Sequence, residues 1–244
     1  MSDLADRAEH AFARRLAQNP YPGRGLVLGR SEDGETWLQL YWIMGRSANS
    51  RNRVFVAAGT TLRTEPFDAS AVEDPSLILY DAMLELERVY LVSNGDQTRT
   101  LRDALVRGGS FEGALATRER EPDAPNFTPR ISGMIDLRGK LPAFAFSVLK
   151  ASRADAAETD RNTFRPAPPP PGLGLGLTTY LGDGAPLPPF EGEPVWLPLA
   201  GAPEAVLERY WDALDRGNRV SLALKRIPLR GGAGSLLVRN RNQR

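Results

Sequence analysis

The sequence predicts an α+β protein whose sheets are antiparallel. Short runs rich in β-branched and aromatic residues are numerous, whereas amphipathic helical stretches are few and come in small groups. The two kinds of segment do not alternate strictly along the chain, as they do in doubly wound parallel sheets. The 244 residues, of which 41% are apolar and 25% charged, have the composition of an ordinary globular protein, so we expect one domain over residues 1–244.

The N-terminal half begins with a helix and continues mainly as strands. Amphipathic spacing predicts a helix over residues 3–18, which ends before Pro20. Two more helices are predicted, one beginning near Thr98 and one capped by Ser110. The apolar run at residues 76–80 is too short for its periodicity to separate strand from helix. Strands are predicted at residues 26–29, 37–44, 54–58 and 89–92.

The C-terminal half contains one clear helix, over residues 203–214, in which Pro203 suits the first turn. Residues 166–171 hold five prolines and are expected to be extended polyproline, forming a connector or insertion near residues 160–172. Residues 239–244 are predicted to be a frayed basic tail. Strands are predicted at residues 131–137, 144–149, 173–181, 195–199 and 220–224.

The residue types that the chain lacks exclude several kinds of chemistry. There is no cysteine, which removes thiol nucleophiles, disulfides and cysteine zinc sites. The single histidine, His10, is expected on the solvated side of the first helix. We therefore expect neither a Ser-His-Asp relay nor a histidine metal site, and we predict no metal and no cofactor.

Charge and hydropathy bear on the cellular compartment of the protein and on its partners. The net charge of +1 provides no strong field for nucleic acid or for an anionic membrane surface. No apolar run approaches the roughly 20 residues of a membrane span, and acidic residues interrupt the N-terminal stretch where a signal peptide has its apolar core. We expect a cytoplasmic protein with no nucleic-acid or membrane partner; a homo-oligomer is compatible with the sequence.

Four polar loops adjoin predicted strands, so their tips are expected to meet at one sheet edge. In the first, residues 21–25, Arg24 offers a planar cation between two glycines that allow close backbone approach. In the second, residues 46–53, three arginines alternate with serine and asparagine, a composition that suits the binding of a phosphate or carboxylate. The simpler interpretation of the first loop is a plain turn, and that of the second is a basic loop that is exposed to solvent.

The third and fourth loops supply amides and carboxylates. Residues 93–98 carry Asn94, a turn residue whose amide suits a carboxamide or a purine-like ring, just before a predicted helix. Residues 121–132 contain three prolines, which lower the entropy of holding functional groups in place. This fourth loop contains the carboxylates of Glu121 and Asp123. Its other hydrogen-bonding side chains include Asn126, Thr128 and Arg130.

The four loops together, in this order, resemble the signature blocks of the archaeal-type IMP cyclohydrolase family. Their strings read YPGRG, GRSANSRNR, SNGDQT and EPDAPNFTPRIS, and the likeness covers roughly residues 20–150. The resemblance implies a four-layer α-β-β-α sandwich of antiparallel sheets, similar to the Ntn hydrolases. It also implies a hydrolase of the cyclic-amidine class, which closes the ring of 5-formamidoimidazole-4-carboxamide ribotide (FAICAR) to give IMP and water in purine biosynthesis.

The resemblance further implies how a purine ribotide is held. The carboxamide nitrogen attacks the formyl carbon of the same molecule, so the protein must supply positioning, an oxyanion partner and proton transfer, but no nucleophile. The residues expected to bind the ribotide are Arg24, Arg46, Ser50, Arg51, Arg53, Asn94, Asp96, Asn126 and Thr128, with the second loop on the phosphate. The residues expected in catalysis are Glu121, Asp123 and Arg130. The choice between the two carboxylates stays open, as does a role for Tyr21 or Tyr41 as the acid.

Three other functions are compatible with the sequence. The protein is either a purine ribotide-binding protein without cyclohydrolase activity, another Ntn-type amidohydrolase, or an RNA-binding protein. An Ntn nucleophile opens a strand, whereas Ser2 precedes a predicted helix. The low net charge and the lack of aromatic residues between the arginines argue against RNA.

Overall fold

The protein is built on two antiparallel sheets packed face to face, as a computed structural model of residues 2–72 and 79–242 shows. Of the apolar run at residues 76–80, only the last two residues lie within the described part. The first sheet has six strands. In spatial order these are β11 (Val195–Pro198), β10 (Leu173–Thr178), β1 (Gly25–Arg30), β2 (Thr36–Met44), β12 (Arg219–Pro228) and β13 (Ser235–Asn240).

The second sheet has seven strands, each antiparallel to its neighbours. In spatial order these are β3 (Val54–Ala58), β4 (Thr61–Glu65), β5 (Asp81–Leu86), β6 (Val89–Ser93), β7 (Arg130–Asp136), β8 (Ala143–Ala151) and β9 (Thr159–Phe164). The predicted α+β class with antiparallel sheets is therefore confirmed.

Helices cover the outer face of each sheet. The six-stranded sheet carries α1 (Ser2–Phe12), which continues as a π-helical turn (Ala13–Ala17), and α5 (Pro203–Ala213). The seven-stranded sheet carries α3 (Gln97–Val106) and α4 (Phe111–Ala116). The layers thus run helix, sheet, sheet, helix, as expected for a four-layer sandwich. Among the described residues, no helix is both long and apolar enough to cross a membrane.

The period of two along the strands divides their side chains between two cores. In β1, Leu26 and Leu28 point into the core between the sheets, while Val27 points outward to the core under α1 and α5. In β2, Tyr41 lies between the sheets and Trp42 lies under the helices, and neither ring is exposed to solvent. Both faces of the six-stranded sheet are therefore buried, which explains why its central strands are almost continuously apolar.

Several local predictions need correction. β4 and β5 were not predicted, because they mix charged and apolar residues without a clean alternation, and β9 was not predicted, because its residues are polar except Phe164. A short helix, α2 (Ala48–Arg51), lies inside the loop predicted at residues 46–53. The frayed tail predicted at residues 239–244 is wrong for its first two residues, which end β13 and pair with β12. Residues 243 and 244 lie outside the described part.

Antiparallel pairing brings the polar loops to one end of the sandwich. The start of β1 lies beside the ends of β2 and β10, because Gly25 pairs with both Trp42 and Thr178. In the other sheet, the end of β6 lies beside the start of β7, where Ser93 pairs with Ser132. The proline-rich stretch leads from β9 in one sheet to β10 in the other.

Candidate active site

A cavity of about 250 Å³ opens at this end of the sandwich. The first, second and fourth loops line it, together with the segment that follows β10. It brings together seven of the residues predicted from the sequence. These are Arg24, Arg46, Ser50, Arg53, Asp123, Asn126 and Thr128.

Arg53 gives the cavity a buried positive charge without a carboxylate beside it. Only 2% of the residue is exposed, and its Nε donates to the carbonyl of Ser50 at 2.8 Å. In the described part of the chain, no Asp or Glu forms an ion pair with it. Burial lowers the pKa of the guanidinium, and the charge of Arg24 lowers it further. A negative group of a ligand would relieve this unfavourable burial.

The turn that presents Arg53 is shaped by two serines. Ser47 caps α2: its Oγ accepts from the Ser50 N–H at 3.1 Å, and the Ser50 Oγ accepts from the Ser47 N–H at 3.0 Å. The Ser50 hydroxyl therefore serves the fold of the loop, even though the residue lines the cavity. The single helical turn that begins at this capping box connects β2 of the six-stranded sheet to β3 of the seven-stranded sheet.

Arg46 lies at the mouth of the cavity. Its Nη1 donates to Asp183 Oδ1 at 2.6 Å and to the carbonyl of Gly184 at 2.9 Å, and its guanidinium lies 5.1 Å from the ring centroid of Tyr21. The side chains of both Arg46 and Asp183 are well exposed, at 38% and 50%. Solvent screens such a pair, so Arg46 can exchange its partner for a ligand at little cost.

Arg24 forms an ion pair with Glu121 that is buried behind the cavity wall. Its Nη1 donates to Glu121 Oε1 at 2.6 Å, and Glu121 is 4% exposed. Burial raises the pKa of the Glu121 carboxyl above its ordinary value, although Arg24 opposes this. Burial by itself would lower the pKa of Arg24, but Glu121 and three nearby tyrosines together raise that pKa well above its ordinary value. The pair joins the two sheets, because Arg24 precedes β1 and Glu121 lies in the loop before β7.

Asp123 begins a chain of hydrogen bonds on the cavity wall. Its Oδ1 accepts from the Thr128 N–H at 2.7 Å, and its Oδ2 accepts from the Thr128 hydroxyl at 2.5 Å. The Thr128 Oγ1 is also 2.6 Å from the hydroxyl of Tyr180. Burial raises the pKa of the Tyr180 phenol, against the opposing effects of the Thr128 hydrogen bond and the Arg24 charge. The carboxylate, the alcohol and the phenol thus form one continuous chain.

The segment after β10 was not recognised from the sequence. Tyr180 was assigned only to the end of the strand predicted over residues 173–181, yet its side chain lines the cavity. Gly23 packs against it in a left-handed conformation (φ +73°), where an added Cβ would lie 2.5 Å from the Tyr180 ring. Asn126 fixes the far side of this segment by accepting from the Leu187 N–H at 3.0 Å. The position of this segment in the sequence could have indicated that it belongs to the site, because it directly follows a predicted strand, as the other loops adjoin strands.

Besides Glu121, four predicted residues lie outside the cavity and hold its surroundings in place. Arg51 donates to the carbonyl of Gly45 at 2.8 Å and to Asn218 at 3.1 Å. Asn94 is fully buried; its amide donates to the carbonyl of residue 129 at 2.9 Å and accepts from the N–H of residue 131 at 2.8 Å. Arg51 thus anchors the second loop, and Asn94 anchors the fourth. Both residues support the walls of the cavity from outside it.

The other two, Asp96 and Arg130, contact each other. Arg130 Nη1 donates to Asp96 Oδ1 at 2.8 Å and to Gln97 Oε1 at 2.8 Å, and Arg118 also donates to Asp96. Burial raises the pKa of Asp96, but its two arginines outweigh burial and hold that pKa below the ordinary value. Arg130 therefore connects the third and fourth loops, and its charge lowers the pKa of Glu121, though less than the charge of Arg24 does.

A second depression, of about 310 Å³, lies beside Asp96. Its main carboxylate, Asp81, accepts from Arg63 at 3.0 Å and from Arg99 at 2.6 Å. These charges compensate one another, unlike the charge of Arg53. Within residues 2–72 and 79–242 there is also no group of three or more His, Cys, Asp or Glu side chains placed to hold a metal ion.

Comparison with known proteins places this geometry in a family. A family model described as IMP cyclohydrolase-like protein matches residues 21–230, which include all four polar loops and the segment after β10. The match also extends well beyond the likeness seen in the sequence, through the proline-rich stretch and β12. No curated protein matches the chain. The matched family supports a cyclohydrolase function in general. Because the match covers most of its residues, the chain belongs to the IMP cyclohydrolase-like protein family.

Proposed function

We propose that the protein is an IMP cyclohydrolase that converts FAICAR to IMP and water. One observation carries the proposal: a single cavity combines the buried, uncompensated cation of Arg53 with the hydrogen-bonded carboxylate of Asp123. The first suits the phosphate of a ribotide, and the second suits a proton transfer. Family membership supports the same chemistry.

The phosphate binds at the side of the cavity formed by the second loop. Arg53 supplies a fixed guanidinium, and Arg46 supplies a second one after releasing Asp183. Two arginines match the charge of a phosphate dianion better than one does. Of the predicted phosphate ligands, Arg51 is not needed, because its donors are already used on Gly45 and Asn218.

The heterocycle then lies against the wall formed by the first and fourth loops. Holding the carboxamide and formyl groups of the one molecule in contact keeps the substrate in the conformer that reacts. Arg24 belongs to this wall, and its ion pair with Glu121 holds it in place. We assign Arg24 to the oxyanion that forms on the formyl carbon.

Glu121 and Asp123, the two carboxylates of the fourth loop, have different surroundings, so we assign them different roles. Glu121 is buried against Arg24 and does not line the cavity, whereas Asp123 does line it. We assign the proton transfer to Asp123, and we assign to Glu121 the task of fixing Arg24. The predicted catalytic role of Arg130 has less support, because one of its nitrogens already binds both Asp96 and Gln97.

The test is the conversion of FAICAR to IMP by purified protein, followed by ultraviolet absorbance and chromatography. The wild type should form IMP. Asp123→Asn should lower kcat by about 10²–10⁴, while the Kd for IMP changes little. Asp136→Asn serves as the matched control, because Asp136 pairs with Arg138 at the opposite end of β7 and should leave kcat unchanged.

Two results would count against the proposal. If the wild type binds IMP but forms none from FAICAR, the protein is a ribotide-binding protein. If Asp123→Asn turns over at the rate of the wild type, Asp123 does not transfer the proton.

A further inference from the structure

We propose that Tyr180 is a further catalytic residue, which accepts the carboxamide proton of the substrate and passes its own proton through Thr128 to Asp123. This inference rests on the proposed ring closure. It concerns a residue in the segment after β10, which none of the four polar loops contains.

The directions of the hydrogen bonds support this relay. An ionised carboxylate can only accept, so the Thr128 hydroxyl must donate its one proton to Asp123 Oδ2. The contact of 2.6 Å between Thr128 and Tyr180 then requires that the phenol be the donor. The phenol oxygen keeps its lone pairs for another donor. No other hydrogen bond to this hydroxyl is found in the described part of the chain, and Tyr180 lines the cavity.

The Tyr180 oxygen, which donates its proton to Thr128 and has free lone pairs, is suited to accept a hydrogen bond from the substrate group that must lose a proton. The carboxamide N–H is a donor, and it becomes acidic only as the nitrogen attacks the formyl carbon. An acceptor that is itself donating into a chain ending at a carboxylate can take up that proton without forming a free phenolate. Burial raises the pKa of Tyr180, so a phenolate acting alone is disfavoured.

The step balances without any added oxidant or reductant. The carboxamide nitrogen forms a bond to the formyl carbon, and the electron pair of the C=O bond moves to the oxygen. One N–H proton moves to Tyr180 as the Tyr180 proton moves to Thr128 and the Thr128 proton moves to Asp123. The negative charge thus passes from Asp123 to the oxyanion, which Arg24 stabilises.

The relay then runs in reverse. Asp123 returns its proton through Thr128, and Tyr180 delivers a proton to the oxyanion, which becomes a hydroxyl. The C–O bond breaks, the formamido nitrogen gives up its proton, and the electron pair of that N–H bond completes the ring C=N bond. The oxygen leaves as water with one proton from each nitrogen, and Asp123 is ionised again.

The other tyrosines near the site are less suited to this role. The Tyr41 hydroxyl is 2.7 Å from that of Tyr80, and Tyr41 is completely buried. Tyr21 stacks on Tyr180 with ring centroids 6.0 Å apart, and within the described residues its hydroxyl has no link to a carboxylate. Tyr180 alone among them is connected to Asp123.

The test compares Tyr180→Phe, Thr128→Val and Thr128→Ser. Tyr180→Phe and Thr128→Val interrupt the relay and should each lower kcat by about 10²-fold or more. Thr128→Ser keeps the hydroxyl and should stay within about tenfold of the wild type. Kd for IMP should remain nearly constant throughout. Tyr210→Phe is the matched control, because it removes a buried hydroxyl that donates to the carbonyl of Pro198 under α5, away from the cavity.

A solvent isotope measurement separates a relay from a structural role. In the wild type, kcat in mixtures of H₂O and D₂O should show a curved dependence, because several protons move together. Tyr180→Phe should remove the curvature. If the wild type forms IMP while Tyr180→Phe keeps both its kcat and the curvature, the relay is refuted and the proposed function stands. If the wild type forms no IMP, the proposed function fails and the relay fails with it.

Discussion

Replacing Arg53 by methionine should separate the stability of the free protein from its affinity for phosphate. Arg53 is 2% exposed and has no carboxylate partner in the described part of the chain. Large buried side chains normally stabilise a fold, so their replacement usually destabilises it by a few kcal/mol. Here the buried charge reverses the expectation, because the folded protein must desolvate it without an opposite charge.

The size of the effect follows from two opposing contributions. Removing the charge relieves a desolvation penalty of roughly several kcal/mol, and losing the hydrogen bond to the Ser50 carbonyl costs about 1.5–3 kcal/mol. Methionine fills a similar volume. We expect the free energy of unfolding of Arg53→Met to be unchanged or higher by about 1–2 kcal/mol, with a thermal midpoint higher by a few degrees at most.

The affinity for a ligand that carries a phosphate should fall in Arg53→Met, whereas the affinity for the same ligand without its phosphate should not change. A charged hydrogen bond to phosphate contributes about 1.5–3 kcal/mol, which corresponds to about a 10- to 150-fold change in Kd. Calorimetry with IMP and with inosine, which lacks the phosphate, measures this selectively. In Arg53→Met the Kd for IMP should rise by that factor while the Kd for inosine stays the same, so the preference for IMP over inosine falls by that factor.

The neighbouring arginine provides the control. Arg51→Met removes a cation two positions away whose contacts are with Gly45 and Asn218, outside the cavity. It should lower stability and leave the ratio of the IMP and inosine affinities unchanged. The reasoning is refuted if Arg53→Met weakens both ligands equally, or if Arg51→Met changes the ratio as much as Arg53→Met does.

Two further predictions concern stability. Gly25→Ala should lower the free energy of unfolding by about 1–3 kcal/mol or more, because the new Cβ would lie 2.0 Å from buried Trp42. Gly182→Ala is the control: its Cβ would make only an ordinary contact at 3.7 Å, so the thermal midpoint should hardly change. The lowered pKa of Asp96 stabilises the fold above the pKa of the unfolded state, and this is lost as the pH falls through the folded pKa. Urea unfolding should therefore show that the wild type is more stable than Asp96→Asn at pH 7, by less than about 1 kcal/mol for a half-exposed group. This difference should close as the pH falls below the pKa of the unfolded state. A difference that does not depend on pH would contradict the linkage.

The sequence was sufficient for the parts of the fold that local chemistry determines. β3 was predicted with its observed ends, and Ser110 caps α4 by accepting from the Gly113 N–H, as its position indicated. Such features depend on side-chain type and on neighbours within a few residues. β9 was missed for the opposite reason. It is an edge strand whose residues are polar except Phe164, and only its pairing with β8 makes it a strand.

The same division applies to the site. The polar loops were recognisable because arginine, asparagine and aspartate are concentrated there, but their contacts depend on pairing between distant strands. Tyr180 reaches Thr128 across 52 positions of the sequence. Arg24 reaches Glu121 across 97 positions. Neither separation leaves a local pattern, so the chain that ends at Asp123 became visible only with the fold.

The three arginines of the second loop show why composition alone could not assign the phosphate site. Arg46 precedes α2, Arg51 ends it, and Arg53 follows it, so one helical turn sends their side chains in three directions. Arg46 contacts Asp183 at the mouth, Arg51 supports the loop, and Arg53 lies buried in the cavity wall. Where a carboxylate already neutralises an arginine, a ligand must compete with it. Arg53 has no such competitor within the described residues, and that difference in electrostatics makes it the strongest anchor for the phosphate.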